Sequence, residues 1–160
     1  WYAISQHNLG ELYLLMSEVS HSKKNLQTAL ACYKNALAIF DPEIDPEEYA
    51  LAYKGKGDVF LRMTEIENPE DNIAKAYGAY SESLRVRERH DNPYGYAEIL
   101  MGIGETDLKK AMISGDKSAL EKAEKAFRRA LVRFTSKEYP IYNERIMNNL
   151  EQLESLREVL

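Results

Sequence analysis

Several residues in this 160-residue chain have types and spacings that could support chemistry. Gly55-x-Gly57 and Gly102-x-Gly104 each supply half of a dinucleotide-binding fingerprint. The full fingerprint needs a preceding strand and a third glycine three residues on, so that backbone can approach a pyrophosphate. Neither is present and no Walker loop occurs, so these glycines are read as helix-packing positions. Glu18-x-x-His21 has the i, i+3 spacing of a di-iron ligand pair. Such a site needs a second copy and two further glutamates on facing helices. Only one copy occurs, so both residues are expected at the surface.

Cys32 adjoins Tyr33 on an apolar helical face and is expected to be a buried structural thiol. No motif links it to His7, His21 or His90 as a nucleophile–base pair. Arg85, Arg87 and Arg89 form one basic cluster, and Arg128, Arg129 and Arg133 another. Glu82, Glu88 and Glu124 stand among them, which favours solvated helix faces laced with i, i+4 pairs over anion sites. The 11 tyrosines could stack on bases, but most fall at packing positions. The chain is therefore expected to be no enzyme and to carry neither cofactor nor metal.

The composition is globular, with 44% apolar and 29% charged residues and only 8 Gly and 5 Pro. The 21 basic against 26 acidic residues give a net charge of −5, which argues against non-specific nucleic-acid binding. The acidity sits in the first half, densest at Asp41, Glu43, Asp45, Glu47 and Glu48, and reads as a solvated loop. A single cysteine excludes an internal disulfide framework and a multi-cysteine zinc site. No apolar run approaches the roughly 20 residues that span a bilayer, and no signal peptide opens the chain. The expectation is a cytoplasmic protein without membrane contact. It opens at Trp1, inside a helical pattern, as an excerpt of a longer protein would.

A 47-residue period organises the whole chain. Pro46, Pro93 and Pro140 keep that interval, as do Gly10, Gly57 and Gly104, and Ala3, Ala50 and Ala97. Leu26, Ile73 and Leu120 follow, then Ala29, Ala76 and Ala123, then Tyr33, Tyr80 and Phe127. Within each unit the apolar spacing is helical: Tyr49, Ala50, Tyr53, Gly57, Phe60 and Leu61 mark one face, and Ile73, Ala76, Tyr77, Tyr80 and Leu84 another. Pro46 suits a first helical turn. Asn68-Pro69, Asp91-Asn92-Pro93 and Ser114-Gly115-Asp116 mark helix ends.

The expected architecture is all-α: a right-handed superhelical array of three antiparallel helix hairpins in one domain. The repeats are residues 1–45, 46–92 and 93–139, and residues 140–160 form a capping helix. In that last helix Glu144 and Glu151 replace the repeat's Ala and Gly, as a solvating end requires. Gly57 and Gly104 each cost a helix interior about 1 kcal/mol relative to Ala, tolerable where a partner helix approaches closely. Tyr33, Tyr80 and Phe127 are expected to fill space between successive hairpins.

Asn8-Leu9-Gly10 with Tyr13, and Ala29, Tyr33 and Ala36, resemble the tetratricopeptide repeat family, as do Tyr53, Gly57, Phe60, Ala76 and Tyr80. The chain departs from that family in its long repeat and in Lys56 standing where Leu is expected. The resemblance implies a scaffold that binds a protein or peptide in a concave groove lined by the first helix of each pair. The groove residues would be Ile4, His7, Glu11 and Leu14, then Leu51, Lys54, Asp58, Leu61 and Arg62, then Glu98, Met101, Glu105, Leu108 and Lys109. The basic clamp that relatives use on a C-terminal carboxylate is sparse here, interrupted by Asp58 and Glu105. Two alternatives stand beside this: a ligand-sensing module of a larger signalling protein, and self-assembly or homodimerisation through exposed repeat ends.

Overall fold

Proline and turn chemistry set where the helices begin and end. In the computed structural model, which describes residues 1–87 and 92–160, Pro46, Pro69, Pro93 and Pro140 each open a helix. The missing N–H of proline costs nothing in a first turn. The described residues are all-helical, in the order α1 (Tyr2–Met16), α2 (Ser22–Leu37), α3 (Pro46–Met63), α4 (Pro69–Arg87), α5 (Pro93–Ser114), α6 (Lys117–Leu131) and α7 (Pro140–Val159). The expectations placed on Glu88, Arg89, His90 and Asp91 lie outside the described residues. Asn92 and Asp116 cap α5 and α6, accepting from the backbone N–H of Gly95 at 2.8 Å and of Ser118 at 2.9 Å.

The 47-residue interval reappears in the backbone of the turns. His21, Asn68 and Gly115 hold the same register position, and all three have left-handed φ of 50°, 45° and 68°. Each lies between the two helices of a pair, where the chain must reverse. The side chains of Asn25 and Asn72, again in register, donate to the carbonyls of Ser20 and Glu67 at 2.6 Å and tie each turn to the helix that follows.

The chain forms two compact units, Trp1–Asp91 and Asn92–Leu160. In the first, α1 packs on α2, α3 on α4, and α2 on α3. The start of α3 meets the end of α4: the Ser83 hydroxyl donates to the Ala50 carbonyl at 2.6 Å, and Tyr49 donates to Glu82 at 3.1 Å. In the second unit α5 packs on α6, with α7 against both. Ile146 and Leu153 of α7 are fully buried in the core around Phe127 and Phe134. Glu144 and Glu151, standing in register with Ala97 and Gly104, are exposed.

The repeat glycines have a specific task. A methyl group on Gly10 would lie 3.0 Å from the Tyr33 ring, on Gly57 2.7 Å from the Tyr80 ring, and on Gly104 2.7 Å from the Phe127 ring. Each aromatic is fully buried and lies flush against the glycine of its own helix pair. Tyr33 also presses on Gly55 of α3, and Phe127 shares a core with Ile146 and Leu153 of α7, so these two rings fill space between one pair and the helix that follows, as expected. Gly78 is different: nothing lies within 4 Å of where its side chain would be.

These two kinds of glycine separate propensity from packing. Gly78→Ala is expected to stabilise the protein by about 1 kcal/mol, the helix-propensity difference. Gly57→Ala should destabilise it, because forcing the buried Tyr80 ring aside costs about 1–3 kcal/mol and outweighs that gain. Urea midpoints of the two variants check the opposite signs.

Candidate functional site

Six charged or ionisable side chains line one side of α1 and α3 in the first unit, and their positions follow from helical spacing. His7 and Glu11 are one turn apart on α1, with Nε2 and Oε1 3.6 Å from each other. Lys54 and Asp58 are one turn apart on α3, paired at 3.0 Å. Arg62, one further turn along α3, bridges to Glu18 just past the end of α1. The Tyr80 hydroxyl donates to Asp58 at 2.6 Å, so Asp58 is held from α4 as well as from its own helix. Acid and base alternate along this face, and most of these side chains are half-buried.

Tyr33 lies at the floor. Its ring meets the His7 ring edge-on, with centroids 5.7 Å apart. Among the described residues its buried hydroxyl has no hydrogen-bond partner, and neither has His7 Nδ1. Burial, followed by the carboxylates of Asp58 and Glu11, pushes the Tyr33 phenol well above its ordinary range, so it stays protonated. Burial pushes the His7 imidazole below its ordinary value; Glu11 opposes that fall and Lys54 adds to it. His7 is accordingly neutral at neutral pH.

The structure thus brings His7, Glu11, Lys54, Asp58 and Arg62 onto one face, with Leu51 and Leu61 half-buried beside them and Ile4 exposed. Leu14 is buried at 8% exposure and belongs to the packing of the unit rather than to an open lining. In the second unit Met101 and Leu108 are likewise core residues, at 4% and 3%. Glu98 and Glu105 are engaged by α7. The Tyr142 hydroxyl donates to Glu98 at 3.0 Å; Arg145 makes two bonds of 2.7 Å to Glu105, and Asn149 adds a third at 3.0 Å. Lys109 is half-buried. The corresponding face of the second unit is therefore closed by its own last helix.

Sequence reasoning missed Tyr33, Glu18 and Tyr80 as neighbours of the charged face of α1 and α3, and Tyr142, Arg145 and Asn149 as partners of the matching face of α5. A signal existed only for Arg145, a base standing one period after the acid Glu98. The other residues weighed for chemistry are occupied structurally. Cys32 is buried, and burial raises its thiol pKa. Glu18 pairs with Arg62 rather than with His21. Arg85 and Arg87 pair with Glu82 and Glu47, Arg128 with Glu124, and Arg133 with the Tyr139 hydroxyl. Among the described residues no three His, Cys, Asp or Glu side chains gather as metal ligands, and no helix is long and apolar enough to cross a membrane. Comparison with protein-family models, with curated proteins and with solved structures finds no match to this chain.

The His7 environment makes a pH prediction. The unfolded chain takes up a proton near pH 6.5, whereas folded His7 resists it to lower pH. Its contribution to stability is present above 6.5 and is lost as pH falls through the interval below that value. Wild-type protein should therefore lose more stability than His7→Gln when taken from pH about 7.5 to about 5.5. Denaturant titrations at both pH values measure this, and equal losses would show that His7 titrates normally.

Proposed function

We propose that the chain is a tetratricopeptide-like scaffold, a right-handed superhelical array of helix pairs that binds a peptide or protein segment and carries out no reaction. The observation that carries this reading is the face of α1 and α3. It presents His7, Glu11, Lys54, Asp58 and Arg62 in alternating charge over a Tyr33–His7 floor. Such a surface suits an extended or helical segment with an apolar stripe and charged anchors of both signs. The glycine–aromatic contacts support the same reading, because they hold the first helices in fixed register and so preorganise the surface. Closure of Glu98 and Glu105 by α7 directs the proposal to the first unit.

The test is a selection of random twelve-residue peptides on the intact protein, followed by calorimetry of the enriched sequences. Asp58→Asn with Arg62→Gln preserves an acceptor for the Tyr80 hydroxyl and removes both charges. It should weaken the selected peptides by about tenfold or more, the scale of lost charge-assisted hydrogen bonds. Peptides that bind this variant as tightly as wild type would refute the groove.

A second reading, self-association through α1, is favoured by one observation. Leu12 stands in register with Val59, which is fully buried, yet Leu12 is 52% and Leu15 60% exposed. Leu9, Met16 and Val19 extend this uncharged strip, and a contiguous apolar patch of this kind marks an interaction surface. On this reading light scattering shows a mass that rises with concentration, and Leu12→Glu returns it to the monomer value.

A further inference from the structure

On the far side of α3 from the groove, a cavity of about 450 Å³ opens between α2, α3 and α4. Helical spacing separates the two sides: Lys54, Asp58 and Arg62 form one stripe of α3, and Tyr53, Lys56 and Phe60 another. The second stripe lines the cavity together with Lys34 from α2 and Lys75 and Gly78 from α4. Three lysines thus line one small space, with Glu82 the only carboxylate among the described residues of its lining, and Glu82 already accepts two bonds from Arg85.

The way these lysines are held matters. The Lys56 ammonium sits 5.0 Å from the Tyr53 ring centroid, and the Lys75 ammonium 5.7 Å from that of Phe60. A ring face positions a cation without neutralising it and leaves its N–H donors free. Lys75 also pairs with Asp71 at 2.5 Å, whereas neither Lys34 nor Lys56 has a carboxylate partner among the described residues. Partial burial and the neighbouring Lys34 both push the Lys56 ammonium below its ordinary pKa, the sign of a cation whose charge is not compensated. Lys56 is also the residue that departs from the tetratricopeptide pattern, where an apolar side chain is expected. Gly78 supplies the opening, since its position weakens α4 and no packing contact requires it.

We propose that this cavity is a binding site for a doubly charged oxyanion of the phosphate-monoester type, held by Lys34, Lys56 and Lys75 between the rings of Tyr53 and Phe60. A phosphate monoester carries about −1.5 to −2 charge at neutral pH and three acceptor oxygens, and lysine binds such groups as a point charge. The excess positive charge and the volume both fit a group of that size on a small body. The site is independent of the peptide groove.

Calorimetric titration at low salt with AMP and with N-acetyl-phosphoserine amide tests it, because the two probes carry one anionic group on different bodies. Saturable binding is expected for at least one, and the tighter probe assigns a free phosphate ester or a phosphorylated side chain as the source. Lys56→Gln should weaken it by about tenfold or more, the loss expected for a charge-assisted hydrogen bond, while Lys56→Arg retains it. Gly78→Leu, which places a side chain in the opening, should abolish binding and gives a readout should Lys56→Gln fail to fold. Lys137→Gln, the same charge change on an exposed turn, should leave the titration unchanged, as should Asp58→Asn with Arg62→Gln. Failure of both probes to saturate, or equal weakening by Lys56→Gln and Lys137→Gln, would overturn the site.

Discussion

The arrangement of this protein depends on a ring lying on a bare helix backbone. Tyr33, Tyr80 and Phe127 are each buried against Gly10, Gly57 and Gly104 of the preceding helix, at separations that leave no room for a methyl group. A contact of this kind fixes both the distance between two helices and their relative translation, because only one residue on the facing helix can receive the ring. Everything on the other side of that helix then inherits a defined position. The charged stripe of α1 and α3 is ordered from behind by this packing, and Tyr33 joins the two levels by pressing on Gly10 and Gly55 together.

The same register is used for different chemistry along the chain. Tyr49 donates to a carboxylate, Glu82, whereas Tyr96, one period later, receives the Arg129 guanidinium. The face that holds Lys54 and Asp58 in α3 holds Met101 and Glu105 in α5, and there α7 covers it with Tyr142, Arg145 and Asn149. Packing positions tolerate little change, since they meet buried neighbours, while the polar positions between them vary freely in charge. The charged faces are therefore the part of each unit in which the repeating register differs most.

This division explains what could be read from the amino acids. The period, the all-helical class, the proline starts and the Ser114-Gly115-Asp116 turn were legible because each rests on local chemistry: a fixed φ, a missing N–H, a left-handed residue. The left-handed φ of His21 was not legible, because histidine adopts that region far less readily than glycine. The charged stripe was legible as spacing on one helix. Its floor was not, since the contact between His7 and Tyr33 joins two helices and neither residue carries a motif. The burial of Leu14 and Met101 was misjudged because an apolar residue beside a polar stripe reads equally as lining or as core. The Lys34–Lys56–Lys75 cluster draws on three helices, and only Lys56, a lysine where an apolar residue is expected, marked it in the order of residues.

The last helix departs from the pattern of the other first helices. Helix α7 buries Ile146 and Leu153 on the side where α3 buries Ala52 and Val59, yet it carries Glu144 and Glu151 where the other first helices have alanine and glycine. The bare backbone on which Tyr33, Tyr80 and Phe127 lie is thus replaced at Glu151 by a long charged side chain. Any helix laid against that side of α7 would therefore meet two carboxylates rather than the small residues that receive a ring in the other first helices.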